Sequence, residues 1–245
     1  MKTKQRIDFA GVLVIMSLIL CLSYSCKSHK NLQPKSTIDN AIQTYAESKL
    51  KEYMELSKAD WGSLALMNVD SGEIKALVNL KRDTSNNVYF QKTPNYAATK
   101  LIEPGQLFTL ASLMACLQDD LIYLTDSVSI GTTLFSEIKM IDSDPTIKRT
   151  TIQKAFEISS NVAIAKLVTA NYKNSPERFV KHLKDFMIDK PLGLIEENEP
   201  KPILKDVTSP TWSKVTLPWL AIGYEIRMTP LQILAFYNAI ANNGK

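Results

Sequence analysis

Two apolar runs separated by a tight turn limit what this chain can fold into. Trp61-Gly62-Ser63-Leu64-Ala65-Leu66-Met67-Asn68-Val69 and Glu73-Ile74-Lys75-Ala76-Leu77-Val78 flank Asp70-Ser71-Gly72. Alternating apolar residues around a turn that ends in glycine predict an antiparallel hairpin. A lone two-stranded hairpin is marginal in water, and its apolar face and free edges need a cover. The sequence around it is mostly helical in period. The predicted class is therefore α+β, with an N-terminal β-hairpin against a mostly helical body.

Ile38, Ala41, Ile42, Tyr45, Tyr53 and Met54 recur at largely helical spacing behind Ser36 and Thr37, either of which is a suitable cap. An apolar helix follows Gln106 and contains Cys116, and residues 150–168 read as one apolar helical stretch. Residues 175–187 open on Ser175, Pro176 and Glu177, a strong helix start. Thr229-Pro230 begins a last helix that Gly244 ends. Residues 81–100 read as a polar loop, and the acidic, proline-containing residues 196–208 as a surface loop.

With 245 residues, 45% of them hydrophobic and 22% charged, the chain can bury a core and is neither disordered nor fibrous. Of its net charge of +4, the leader residues Lys2, Lys4, Arg6 and Asp8 supply +2 (three positive, one negative). No basic stripe with interleaved aromatics is present, which argues against nucleic acid as a partner. His29 and His182 are far apart and lack metal-ligand spacing, so neither metal nor cofactor is expected.

The first residues read as an export signal. Lys2, Lys4 and Arg6 precede an apolar run over residues 9–22, shorter than the ~20 residues of a spanning helix. Ser23-Tyr24-Ser25-Cys26 then resembles a bacterial lipoprotein processing site, with Cys26 as the lipidated residue, although the expected aliphatic residue, Leu22, stands one place early. An uncleaved anchor and ordinary cleavage are the alternatives. The expected organisation is a signal peptide or membrane anchor over 1–25, a tether over 26–36 and a folded domain over 37–245. The body would then lie on the periplasmic or extracytoplasmic face of the cell membrane, held through its N-terminus. Cys116 is left without an intramolecular disulfide partner in the mature body and reads as a small buried hydrophobe.

Glu103-Pro104-Gly105-Gln106-Leu107-Phe108-Thr109 opens the helix that holds Cys116, Ile158-Ser159-Ser160-Asn161-Val162 lies in the next apolar stretch, and Gly223-Tyr224-Glu225-Ile226-Arg227-Met228-Thr229-Pro230-Leu231-Gln232 leads into the last helix. Together with the hairpin, these four landmarks resemble, in order, the transpeptidase domain of class B penicillin-binding proteins, members of the D,D-transpeptidase and serine β-lactamase-like superfamily. The resemblance implies an incomplete transpeptidase-like fold whose C-terminal sheet strands are missing.

In the family the first landmark reads Pro-Gly-Ser-x-x-Lys, and the serine, activated by the lysine one turn on, attacks the substrate carbonyl. Here Gln106 replaces the serine and Thr109 the lysine. A carboxamide has no ionisable proton to give up, and a threonine hydroxyl is no base at neutral pH. The family's Lys-Thr-Gly motif does not occur through Lys245. The second motif, Ser-x-Asn, is present as Ser159 and Asn161; in the family these relay protons and hold the substrate's peptide bond. Their alternative role is to cap or connect helices. A literal Ser-x-x-Lys occurs at Ser136-Glu137-Ile138-Lys139, but it lacks the Pro-Gly entry and sits near Asp142, Asp144 and Pro145, in what reads as a polar surface connection.

The resemblance implies a peptidoglycan stem peptide or a β-lactam as ligand and a cell-wall synthesis protein as partner. Three readings follow: a noncatalytic homologue, an acyl-transfer enzyme with an unrecognised nucleophile or partner-supplied residues, and a fragment of a longer transpeptidase.

Overall fold

The structure is a computed structural model that describes residues 36–83, 88–91, 95–194 and 199–244. The leader, Cys26 and His29 lie outside the described residues. Helix α1 (Asn40–Ser57) is capped by Asp39, whose carboxylate accepts from the N–H groups of Ala41 and Ile42. Ser36 and Thr37 are too early for that role, because a capping oxygen must stand next to the first turn. Thr37 instead donates its hydroxyl to Ile74 O at 2.7 Å, tying the helix entry to the sheet.

Strand β1 (Trp61–Met67) pairs antiparallel with β2 (Ile74–Asp83), as the hairpin pattern predicts. The expected polar loop beyond residue 81 is more ordered than its composition suggests. Strand β2 runs on to Asp83, and β3 (Val88–Gln91) pairs antiparallel with its end, giving the sheet order β1-β2-β3. Val88-Tyr89-Phe90 are strand-forming residues, but a run this short carries no readable alternation. Helix α1 lays Ala46 and Met54 on Ala76, Val78 and Leu80. Its Gln43 donates to Leu77 O and accepts from Leu77 N–H at 2.9 and 2.8 Å, occupying backbone groups of β2 beside the short β3.

A one-turn helix α2 (Tyr96–Thr99) follows, capped by Asn95 and held by buried Asn79, which accepts from Ala97 N–H and donates to Asn95. A 3-10 turn (Gly105–Phe108) then enters α3 (Thr109–Gln118). Strands β4 (Ser127–Ser129) and β7 (Arg149–Thr151) pair with each other, and between them β5 (Thr132–Phe135) and β6 (Ile138–Ile141) form a second hairpin.

The single helix expected over 150–168 is two, α4 (Ile152–Glu157) and α5 (Asn161–Tyr172). Ser159 between them has φ of +56°, and Ser160 is extended. Apolar residues continue across the break, so periodicity alone does not show it. Helix α6 (Pro176–Asp185) matches expectation, although Ser175 makes no side-chain cap bond. In the expected surface loop over 196–208, β8 (Ile203–Leu204) pairs with β9 (Ile226–Arg227). Helix α7 (Thr216–Ala221) precedes β9, and α8 (Pro230–Ala241) follows it behind a full capping box made by Thr229 and Gln232.

The main core gathers α3, α5, α6 and α7. Along α5, Val162, Ala163, Ile164, Ala165, Val168 and Tyr172 are all buried. Cys116 packs there fully buried, and burial, with Asp119 nearby, pushes its thiol up to about 12, so it stays protonated and inert. At the α3–α6 junction, Asp119 accepts from the Tyr172 hydroxyl at 2.8 Å and lies 3.0 Å from both His182 Nε2 and Arg178. Burial alone raises the Asp119 carboxyl, but the hydrogen bonds from Tyr172 and His182 and the charges beside it outweigh that, so its pKa lies below the ordinary value.

A depressed carboxyl contributes stability above its unfolded pKa and loses it as pH falls through the folded one. Asp119→Asn is expected to lower stability by about 1–3 kcal/mol at pH 7. Its loss of stability on acidification below about pH 4 should be shallower than that of the unsubstituted protein. Urea denaturation at both pH values measures the difference.

Candidate functional site

Segments more than a hundred residues apart in sequence build the site. Gly105 N–H donates to Gly223 O at 3.2 Å, and Ser112, fully buried, donates to Ala221 O at 2.7 Å. Ile102 and Met228 exchange two backbone hydrogen bonds of 2.9 Å. The Tyr237 hydroxyl reaches across from α8 to Leu107 O at 2.7 Å. The Pro-Gly entry to α3 and the Gly-Tyr-Glu segment before α8 are thereby locked together. Gly223 makes this possible: it has φ of +83°, and a Cβ there would stand 2.2 Å from Gly105 O.

At the head of this frame Gln106 is exposed and Thr109 is buried. The Thr109 hydroxyl donates to Gln106 O at 2.7 Å, which commits it to closing the turn. The two positions hold a neutral amide and a hydroxyl already in use. They supply no nucleophile–base pair.

The Ser-x-Asn segment is held by residues that the sequence reading passed over. Ser160, not Ser159, caps α5, accepting from Ala163 N–H at 3.0 Å and donating to Asp142 at 2.7 Å. Asp142 also accepts from Val162 N–H at 3.0 Å and from Gly131 N–H at 2.8 Å. One carboxylate thus joins the β4–β5 connection to the start of α5, where the helix dipole favours negative charge. The signal was present in the sequence, since a helix start at Asn161 leaves N–H groups that need acceptors. Placing the helix start at Thr150 concealed it.

Ser159 is exposed in its left-handed conformation, and its N–H donates to Phe156 O. Asn161 Oδ1 is buried without a hydrogen-bond partner. Asn161 lines a cavity of about 370 Å³ together with Lys139, Trp219, Ile222 and Tyr224. Gln106, Thr109 and Ser159 are not among its lining residues. Ser136 lies in the two-residue turn of the β5–β6 hairpin at φ of +54°, so the expected polar connection is a hairpin instead. Its literal motif places Lys139 on the cavity wall while Ser136 stays on the turn.

The family model "Penicillin binding protein transpeptidase domain" matches residues 62–245, and the chain belongs to this family. It is 27% identical over 217 residues to the peptidoglycan D,D-transpeptidase FtsI of Buchnera aphidicola, covering 85% of this chain and 36% of that protein. It is 26% identical over 219 residues to the penicillin-binding protein PbpB of Mycobacterium tuberculosis, covering 85% of this chain and 31% of that one. The chain therefore spans about a third of the length of these curated relatives. Penicillin-binding protein 3 of Mycobacterium tuberculosis in its apo form superposes with a TM-score of 0.70 at 25% identity, over 84% of this chain and 47% of that one. Its ampicillin complex gives a TM-score of 0.70 at 24% identity, over 84% and 46%. The fold is that of the penicillin-binding transpeptidase domain.

Gly223→Ala is expected to cost on the order of 3 kcal/mol, from the positive φ and the contact with Gly105. Asp142→Ala should cost about 2–3 kcal/mol through three lost hydrogen bonds to a charged acceptor. Both effects are read from urea-unfolding midpoints at fixed pH.

Proposed function

We propose that this chain is a noncatalytic homologue of the peptidoglycan transpeptidases, exported and held at the cell membrane, which binds cell-wall peptide without transferring it. The observation that carries this reading is the state of the α3 entry, where Gln106 has no ionisable proton and the Thr109 hydroxyl is spent on Gln106 O. The local frame around them, from Ile102 through Ser112 and from Ala221 to Tyr237, is held by its own hydrogen bonds, so at the α3 entry the departure lies in the reactive groups. Family membership supports a role in cell-wall synthesis, and relatives in the family are D,D-transpeptidases by name. Binding falls to Asn161, with Ser159 beside it, in this reading. Residues 1–25 act as signal or anchor, Cys26 is the lipidated residue, residues 26–36 tether and residues 37–245 bind.

The test is incubation of the full-length chain in membranes with excess ampicillin, followed by intact mass measurement beside an active transpeptidase. No adduct is expected on this chain while the control is acylated stoichiometrically. A stoichiometric adduct here would overturn the noncatalytic reading in favour of an acyl-transfer enzyme with another nucleophile, and peptide mapping would then identify it, starting from Ser159 and Ser136.

A further inference from the structure

Helix α1 carries more apolar surface than the sheet covers. At about 100° per residue, Ala46, Leu50 and Met54 fall within an arc of about 80°, and this arc packs on β1 and β2. Ile42, Tyr45, Lys49, Tyr53 and Leu56 fall within a second arc of about 80° directly beside it. The four apolar members of this second stripe are between 37% and 74% exposed. Singly exposed hydrophobic residues are ordinary, but four in one row along one helix form a contact surface.

The stripe is the same in either direction along the helix. Ile42 and Leu56 stand seven residues to either side of Lys49, and Tyr45 and Tyr53 stand four residues to either side. Laid antiparallel on a second copy, Ile42 meets the second copy's Leu56 and Tyr45 meets its Tyr53, each pair occurring twice. Lys49 then sits at the two-fold axis, facing its own copy. Its ammonium lies 2.7 Å from the Glu52 carboxylate and 6.0 Å from the Tyr45 ring centroid, so its charge is balanced within each helix. A bilayer surface fits this helix less well. Helices that lie on membranes carry basic residues on their polar face, whereas the face of α1 away from both apolar arcs carries Glu47, Lys51 and Glu55. Lys49, in the middle of the stripe, would also be pressed toward lipid.

We propose that the exposed stripe of α1 is the contact face of a two-fold symmetric dimer, in which α1 of one copy packs antiparallel on α1 of a second copy. The antiparallel direction opposes the two helix macrodipoles, which favours it over the parallel one. From Ile42 to Leu56 the stripe runs about 21 Å, so a single helix pair buries less than the roughly 1,200 Å² of a standard interface, and the dimer is weak and reversible. Nothing in this contact depends on the ligand or the chemistry of the α3 entry.

The experiment is sedimentation equilibrium of the full-length chain in density-matched detergent, over a range of protein concentrations. The unsubstituted chain is expected to approach a dimer as concentration rises. Tyr45→Glu alone and Tyr53→Arg alone should each weaken association at least about tenfold, because each loses two aromatic pairs. The double variant Tyr45→Glu with Tyr53→Arg should recover association to within about threefold of the unsubstituted chain, since position 45 faces position 53 of the second copy and opposite charges then meet twice. Both positions are about two-thirds exposed, so the urea midpoints of all three variants should stay with that of the unsubstituted chain. Association that both single variants retain would place the contact elsewhere in the chain and overturn the proposal. Single variants that dissociate without recovery in the double variant would overturn the antiparallel pairing. Monomers at every concentration would also overturn it and leave lipid or a different protein as the cover of the stripe.

Discussion

The contact between Gly105 and Gly223 is the constraint on which the rest of the site depends. Two backbones approach so closely there that a Cβ on Gly223 has no room, and the approach brings the entry of α3 to the end of α7. Once the two segments touch, Ser112 can bond to Ala221 O, Ile102 can pair with Met228, and Tyr237 can reach Leu107 O. The buried Ser112–Ala221 bond satisfies a polar group that would otherwise be lost to burial. The interior around α5 then closes over apolar residues on every side. The entry of α3 and the end of α7 are held together by a contact between two residues without side chains.

Carboxylates do much of the remaining positioning, and they do it by accepting backbone N–H groups. Asp142 holds the start of α5 to the β4–β5 connection. Glu199 accepts from Leu192, Gly193 and Leu194 and from the Gln232 side chain, so the start of α8 is tied to the stretch after α6. Burial raises the Glu199 carboxyl, but those bonds outweigh it and its pKa falls below the ordinary value. Charge-assisted bonds of this kind are stronger than neutral ones and fix loops that have no ladder of their own. Asp119 joins three helices through side chains instead, accepting from the Tyr172 hydroxyl and lying beside His182 and Arg178. Architecture and reactivity are therefore carried by different residues. Gln106 and Thr109 change the chemistry at the head of α3 without disturbing any of these anchors.

Much of this was legible in the sequence. Alternation around Asp70-Ser71-Gly72 gave the hairpin, Pro176 gave α6, and Thr229-Pro230 gave the start of α8, because turns and caps are local and each demands particular side chains. The loss of serine and lysine at Gln106 and Thr109 was equally plain, since chemical competence belongs to residue type. The errors share a cause. Strand β3 and the β8–β9 pair are too short to show a period, and the α4–α5 break is hidden because its flanks are all apolar. Asp39 rather than Ser36 or Thr37 caps α1, a distinction of a few residues that spacing does not resolve.

The sequence by itself determined the class of fold, the first hairpin, the main helix starts at Pro176 and Pro230 and the absence of a serine–lysine pair at the α3 entry. Only the tertiary structure decided which distant residues share a surface. Lys139 and Asn161 meet at one cavity, Ser136 and Gln106 do not line it, and Asp142 supports the Ser-x-Asn segment from a different connection. The physical reason is that propensity and periodicity act over a few residues along the chain. Packing, the close contact of Gly105 with Gly223 and the pairing of buried polar groups act between segments that the sequence keeps apart.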